Sequence, residues 1–302
     1  MFIVLAGATG NLGSRIGKAL VARRANVKAL VRRGTAADKV RAVREFAATV
    51  ALIDTSDQVE VVKACEGAGC MVSAVQGLRD VVVDAQTGLL QAAIAAGVPR
   101  FIPSDFSTNF RKLPAGENRN FDLRREFHDK LDVAHIASTA SFNGAFAEIL
   151  SYNTSLFDMK NKSVGFWGDP DRKLDFTTMD DTAAFTAAAA LDPTSPVALH
   201  IASFQVSPRE LAKFASDDLK AAFELVRLGS VDDLRALNHR ERSAHPEGER
   251  ELYPLWQQSQ YMQSMVSAHH EQLDNARYPD LPWASLQNVL GTITKSTMKE
   301  VI

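Results

Sequence analysis

Along residues 2–102 the chain alternates between two hydrophobic rhythms. Short apolar runs at Phe2–Ala6, Val27–Val31, Val50–Ile53 and Cys70–Val75, with a shorter one at Arg100–Ile102, read as buried strands. Between them, apolar residues recur at helical spacing. Residues 11–24 carry Leu12, Ile16 and Leu20, and residues 38–47 carry Val40, Val43 and Phe46. Residues 59–65 form a third helical stretch, and 83–96 a fourth, closed by Gly97 and Pro99. Strands alternating with helices pair in parallel through right-handed crossovers. The expected fold class is therefore α/β, a doubly wound parallel sheet.

After Pro103 the rhythm changes. Residues 104–120, "SDFSTNFRKLPAGENRN", form a polar loop rich in turn residues. A helix is expected over 120–131 and a sixth strand over 135–139. Farther on, "SVGFWGD" (163–169) and "VALHIASF" (197–204) read as strands, and the Ala-rich run 183–191 as a buried helix. Ser207, Pro208 and Glu210 spell a helix start with a capping box. The charged stretch 238–251 reads as an exposed loop or a frayed helix, and no internal repeat is present.

Composition narrows the partners. With 302 residues and 46% hydrophobic content, the chain can build a sizeable core, as one enlarged domain or two. A net charge of −2 argues against direct nucleic-acid binding, which needs clustered Lys and Arg. No run of about 18 apolar residues exists to span a membrane. The apolar start lacks the basic flank of a signal peptide. The two cysteines, Cys65 and Cys70, form neither a CxxC nor a metal set, which suits a reduced, cytoplasmic protein. His239 with His245, and His269 with His270, lack accompanying ligands in sequence, so no metal is expected.

The chemistry begins at the first turn. Gly7, Gly10 and Gly13 form GxxGxxG between a strand and a helix, the context a dinucleotide fingerprint requires. Gly7 permits the tight turn, Gly10 lets backbone approach a pyrophosphate, and Gly13 lets the helix pack on the strand. Thr9, Asn11 and Leu12 fall in the same loop and first helical turn, whose N–H groups face the anion. The competing reading is a glycine turn without a ligand. At the end of the second strand, where an acidic residue would hold a ribose hydroxyl, stand Arg32 and Arg33. An arginine fork suits a 2′-phosphate, so the expected cofactor is NADP(H), taken as NADPH. Ser73, Ala74, Val75 and Gln76 end the fourth strand and should line that cofactor, while Ser104 and Asp105 end the fifth, near the nicotinamide.

As a set, "GATGNLG", "LVRR", "VSAVQG", "DAQTGLLQAAIAAGVPRFIPSDF" with Gln86, "FNGAF" and "FTTMDDTAAFTAAAALDP" resemble the isoflavone reductase-like and NmrA-like branch of the atypical short-chain dehydrogenases/reductases. The resemblance implies a Rossmann-type NAD(P)-binding domain, placed at 1–150, and a smaller C-terminal substrate-binding region, placed at 151–302. It also implies NADPH. Two departures stand out. There is no YxxxK, because all four tyrosines lie at 152 or beyond and none has Lys four residues on. The segment Leu123–Arg125 aligns with the family's "IRR", which puts Asn120 where plant reductases of this branch carry an active-site Lys. The family's proton donor therefore does not carry over, and Asp105, Asn120, Arg124, Arg125, His128 or water are the candidates.

Phe106, Phe110, Phe142, Phe146 and Trp167 suit a flat aromatic substrate, with plain core as the competing reading; Phe106, Phe142, Asn143 and Gly144 are the substrate-site candidates. His128 is either a surface histidine or half of a proton relay with an acid. Asp180 and Asp181 resemble the family's "DD" and are expected to cap a helix at Thr182. Two functions follow from the resemblance. One is an NADPH-dependent reductase of a small aromatic substrate: a phenylpropanoid or lignan, a quinone or an aromatic carbonyl. The other is a non-catalytic NADP(H)-sensing regulator that binds a protein partner. The missing YxxxK disfavours a sugar-nucleotide epimerase.

Overall fold

The structure is a computed structural model and describes residues 2–47 and 49–299. The chain divides into two compact units: Met1–Phe106, Asn120–Phe142 and Thr182–Leu199 form the first, and Ser107–Arg119, Asn143–Asp181 and His200–Ile302 the second.

In unit one the elements run β1 (Phe2–Ala6), α1 (Asn11–Ala22), β2 (Asn26–Arg32), α2 (Ala37–Arg44), β3 (Thr49–Ile53), α3 (Gln58–Cys65), β4 (Ala68–Ser73), α4 (Gln86–Ala95), β5 (Arg100–Ile102), α5 (Arg119–Leu131), β6 (Ala137–Ser138) and β7 (Ala140–Phe142). The first six strands form one parallel sheet in the order β3-β2-β1-β4-β5-β6, the Rossmann-type order. Its middle strand, β1, is buried along Ile3–Ala6, with Leu5 opposite Ala29 on one side and Val72 on the other. One core cluster gathers Val4, Leu30, Met71, Leu89, Phe101 and Phe127 from strands and helices. Such burial on both faces is why these strands read as unbroken apolar runs.

Some boundaries differ from expectation. A π-helical turn, Asp80–Ala85, precedes α4, so that helical segment begins before residue 83. The sixth strand shrinks to Ala137–Ser138: Thr139 N–H still donates to Phe101 O at 3.1 Å, but Ala140 N–H turns to Val197 O at 2.8 Å. The buried Arg100 guanidinium donates to Thr139 Oγ1 at 2.7 Å, to Ser195 O at 2.9 Å and to Pro193 O at 3.0 Å. Cys65 and Cys70 are free and buried, and burial pushes their thiols up to about 11 and about 12. Among the described residues no helix is long and apolar enough to cross a membrane.

The later elements are β8 (Ala145–Phe146), β9 (Ser163–Trp167), β10 (Leu174–Thr177), α6 (Met179–Leu191), β11 (Ala198–His200), β12 (Phe204–Val206), α7 (Pro208–Leu219), β13 (Glu224–Gly229), α8 (Val231–Ala244), α9 (Leu255–Ser267) and α10 (Leu286–Lys299). They make a three-stranded sheet β12-β10-β8 and the pairs β11-β7 and β13-β9. "VALHIASF" is two strands in different sheets, because Asn275 brackets Ala202 between them, accepting from its N–H and donating to its C=O. The capping box at Ser207 and Glu210 is present. Residues 238–251 are more regular than a loop: α8, with its own capping box at Ser230 and Asp233, continues to Ala244, and a 3-10 turn follows at Pro246–Arg250. Helix α6 starts at Met179 rather than Thr182, with Thr178 Oγ1 accepting from the Asp181 N–H. The Asp181 carboxylate instead accepts from Ser203 Oγ and, at 2.9 Å, from the Ala284 N–H.

A second core cluster, with Leu150, Phe157, Val164, Phe176, Leu211 and Met265, holds unit two together. Beside it Arg119 acts as a knot. Its guanidinium, only 8% exposed, donates to Gly248 O and Glu249 O through Nη1 and to Glu251 O and Leu252 O through Nη2, all at 2.9–3.3 Å. It also lies 4.8 Å from the Trp256 ring centre. A lysine ammonium cannot reproduce that planar fork. Arg119→Ala should lose roughly 3–5 kcal/mol of stability in denaturant unfolding, with Arg119→Lys recovering little of it.

Nearby, His200 Nε2 accepts from Asn109 Nδ2 at 2.9 Å, and its Nδ1 stands 3.6 Å from Asp274. Burial pushes its pKa below the ordinary value, with Asp274 opposing and Lys112 assisting. The unfolded chain then binds the proton more readily than the folded one below about pH 6.5. Stability is full above that value and falls as pH drops toward the folded pKa. His200→Gln should therefore show a shallower loss of melting temperature between about pH 7 and pH 5 than the wild type.

Candidate functional site

The first turn of unit one is built by close backbone approach. Gly7 has φ +83°, and a Cβ there would stand 2.3 Å from Ala74 O. A Cβ on Gly13 would stand 2.1 Å from Gly7 O and 3.2 Å from Ala8 Cα. Gly10 is the N-cap of α1, without a side-chain cap and with its own N–H on Gly7 O at 2.9 Å. Thr9, Gly10 and Asn11 are exposed, and Leu12 is half-buried. The first turn of α1 contains no acidic residue, so its unsatisfied N–H groups and positive dipole end are open to an anion. The cradle fits a diphosphate and does not fit side chains in place of Gly7 and Gly13.

The two arginines at the end of β2 have different surroundings. Both are exposed, but Arg33 is ion-paired to Glu60, whose second oxygen accepts from the Asp54 N–H at 2.9 Å. The Arg32 guanidinium has no bonded partner among the described residues, so it is the one available to a phosphate. At the end of β4, Ala74 N–H donates to Ala6 O at 3.0 Å, which fixes the start of the Ala74–Gln76 segment.

Ser104, following β5, is held from three sides. Its N–H donates to Gln86 Oε1 at 2.9 Å, its hydroxyl donates to Val75 O at 2.7 Å, and its carbonyl accepts from Arg124 Nε at 3.2 Å. Gln86 is fully buried, and its Nε2 donates to Val82 O at 3.0 Å. Its positioning role was not foreseen, although an amide inside an apolar helical stretch was the available signal. Arg124 also donates to Asn120 O at 3.0 Å.

Asp105 and His128 come together. Asp105 Oδ2 lies 2.6 Å from His128 Nε2, with Asp105 at 0% and His128 at 5% exposure. The ring nitrogen donates to the carboxylate, and His128 Nδ1 faces Asp132 at 3.7 Å. His128 is thus a buried histidine paired with an acid, not a surface one. Asn120 is buried at the start of α5, and Arg125 is ion-paired to Asp122 at 2.5 Å. Phe106 and Phe142 are buried in unit one.

In unit two, Asn143 N–H donates to Ser107 O at 3.0 Å, and its carbonyl accepts from Thr177 Oγ1 at 2.6 Å. Gly144 follows with φ +63°, and a Cβ there would stand 2.5 Å from Asp175 Cβ. Phe110 is fully buried, while Trp167 packs against the unit-two core.

The sheet order and the glycine turn define a Rossmann-type α/β protein whose first helix leaves its N-terminal N–H groups open. A family model described as the NmrA-like family matches residues 1–248, and the chain belongs to that family. It is 32% identical to pinoresinol reductase 2 of Arabidopsis thaliana over 207 residues, which cover 63% of this chain and 65% of that protein. Phenylcoumaran benzylic ether reductase PT1 of Pinus taeda is 26% identical over 204 residues, covering 63% and 65%. The solved structure of AtPrR2 with NADP+ and (+)pinoresinol shares the fold at a TM-score of 0.78 and 24% identity, covering 97% of this chain and 98% of that one.

The closeness of the cradle is testable. In Gly13→Ala the new methyl meets backbone, which cannot swing aside, so α1 must shift. Thermal denaturation should show a loss of about 1–3 kcal/mol.

Proposed function

We propose that this protein is an NADPH-dependent reductase delivering hydride to a small aromatic substrate of the phenylpropanoid or lignan type. The observation that carries the reading is the buried Asp105–His128 pair at the carboxyl end of a sheet whose first turn is a diphosphate cradle. In open α/β sheets ligands gather at those strand ends. The named activities of the matched relatives supply the reaction class.

The chain's residues divide the work. Gly7, Gly10, Gly13, Thr9, Asn11 and Leu12 receive the pyrophosphate, and Arg32 takes the 2′-phosphate while Arg33 stays with Glu60. Ala74, Val75, Gln76 and the pinned Ser104 line the rest of the dinucleotide. Bound NADPH supplies the hydride. When hydride reaches carbon, the electron pair displaced onto the substrate's oxygen needs a proton. His128 Nε2 and Asp105 Oδ2 hold one between them, out of bulk water. Asn120 stands where the resembling reductases carry Lys. A carboxamide does not release a proton at neutral pH, so its part is to orient by hydrogen bonding. Phe106 and Phe142 are the substrate candidates on unit one, and Asn143 and Gly144 those on unit two.

That the matched relatives carry reductase names weighs for catalysis and against the regulator reading. Purified protein should consume NADPH with pinoresinol or a related lignan. Asp105→Asn and His128→Gln should each lower kcat ~10²-fold or more while changing NADPH affinity little. Tight NADPH binding without consumption across lignans, quinones and aromatic ketones would return the weight to the regulator.

A further inference from the structure

Thr35 stands three residues from Arg32, on the turn that leaves β2 in unit one. Its N–H donates to Arg32 O at 3.1 Å, and its hydroxyl donates to the same oxygen at 2.7 Å. Gly34, the third residue of the turn, has φ +81°, as a type II turn asks of it, and a Cβ there would meet nothing within 4 Å. A turn closed in this way brings its first and fourth Cα atoms within about 7 Å of each other. Arg32 and Thr35 are therefore neighbours in space. The turn faces solvent: Arg32, Arg33, Gly34 and residues 36–39 are exposed, and Thr35 is half-buried. Its two guanidinium groups differ in engagement. Arg33 is held by Glu60, whereas that of Arg32 has no bonded partner among the described residues.

We propose that Thr35 is a phosphorylation site for an arginine-directed protein kinase, and that its phosphate captures Arg32. This rests on the reading above that Arg32 takes the cofactor's 2′-phosphate, and it adds a regulation of that site. Arginines two and three residues before a hydroxyl, on an exposed turn, suit a kinase groove lined with carboxylates. The kinase passes the γ-phosphoryl of ATP to Thr35 Oγ1. The Oγ1–P bond forms as the bond to the ADP oxygen breaks, the hydroxyl proton goes to the kinase's base, and nothing is oxidised or reduced. The ester oxygen no longer donates to Arg32 O. In its place stands a group of about −2 charge with three strong acceptor oxygens, across a single turn from an unengaged guanidinium. Arginine and phosphate pair through two parallel N–H···O bonds. Arg32 so engaged cannot serve a 2′-phosphate, and the new charge repels one. NADPH and NADP+ lose their hold, whereas NADH, with a hydroxyl at that position, does not.

The test incubates the full chain, as wild type and as Thr35→Val, with ATP and a purified arginine-directed kinase. Mass spectrometry of the intact protein and its peptides locates the phosphate, and fluorescence titration gives the Kd of NADPH and of NADH. Wild type should gain phosphate at Thr35. Its NADPH Kd should then rise ~10-fold or more, while its NADH Kd stays within about twofold. A phosphatase should reverse the loss, and treated Thr35→Val should bind NADPH as the untreated protein does. Wild type left without phosphate at Thr35 would overturn the inference. So would an equal loss for NADPH and NADH, which marks a distorted turn and not a captured arginine. Arg32→Ala separates the inference from the reading beneath it. If Arg32→Ala weakens NADPH binding but phosphorylation of wild type does not, the inference is overturned and the cofactor reading stands. If Arg32→Ala binds NADPH as wild type does, the cofactor reading of Arg32 has failed and the inference falls with it.

Discussion

The functional end of unit one depends on how closely three stretches of backbone approach one another. Gly7 lies against the carbonyl of Ala74, and Gly13 against the carbonyl of Gly7. Those contacts set the end of β1 against the segment leaving β4 and bring α1 onto the turn. A helix N-terminus attracts an anion only if nothing else satisfies its N–H groups and backbone can come near. Both conditions hold because side chains are absent, not because particular ones are present. The apolar sheet supplies the force that holds this arrangement, with β1 buried along most of its length.

From that fixed turn, order passes along the strand ends by hydrogen bonds. Ala74 is tied to β1, Val75 receives the Ser104 hydroxyl, and Ser104 is held in turn by Gln86 and Arg124. Asp105 is the next residue in the chain. Its carboxylate meets His128 on α5, the helix that also bears Arg124. Gln86, Ser104, Asp105 and His128 are buried, Arg124 is half-buried, and the bonds named hold their side chains in place.

Sequence reasoning reached the glycine turn and the parallel sheet because those features are local and exclusive. Only glycine fits the turn, and only strands buried on both faces read as unbroken apolar runs. It could name Asp105 and His128 but not join them. They are 23 positions apart, and nothing in the spacing shows that α5 presents His128 to the end of β5. The same limit hid Arg119, whose four carbonyl partners lie about 130 residues onward. For 238–251 charge density left an exposed loop or a frayed helix open. A capping box at Ser230 and packing of Leu234 on the core make the first part of it, to Ala244, helix. Tertiary context also broke "VALHIASF" in two, through one asparagine bracketing Ala202.

Arg32 and Arg33 show why residue type alone does not assign a role. As adjacent letters they are equivalent, and a fork of two guanidinium groups is the natural reading. In the fold the second is neutralised by Glu60, which is itself held by the backbone at Asp54. An exposed ion pair of this kind contributes little stability. Its consequence is electrostatic: it leaves one positive charge, on Arg32, at the end of β2. Asn120 makes the complementary point. Replacing a lysine with an amide removes both a charge and an exchangeable proton from the start of α5. His128, about two turns along that helix, is buried and already paired to an acid.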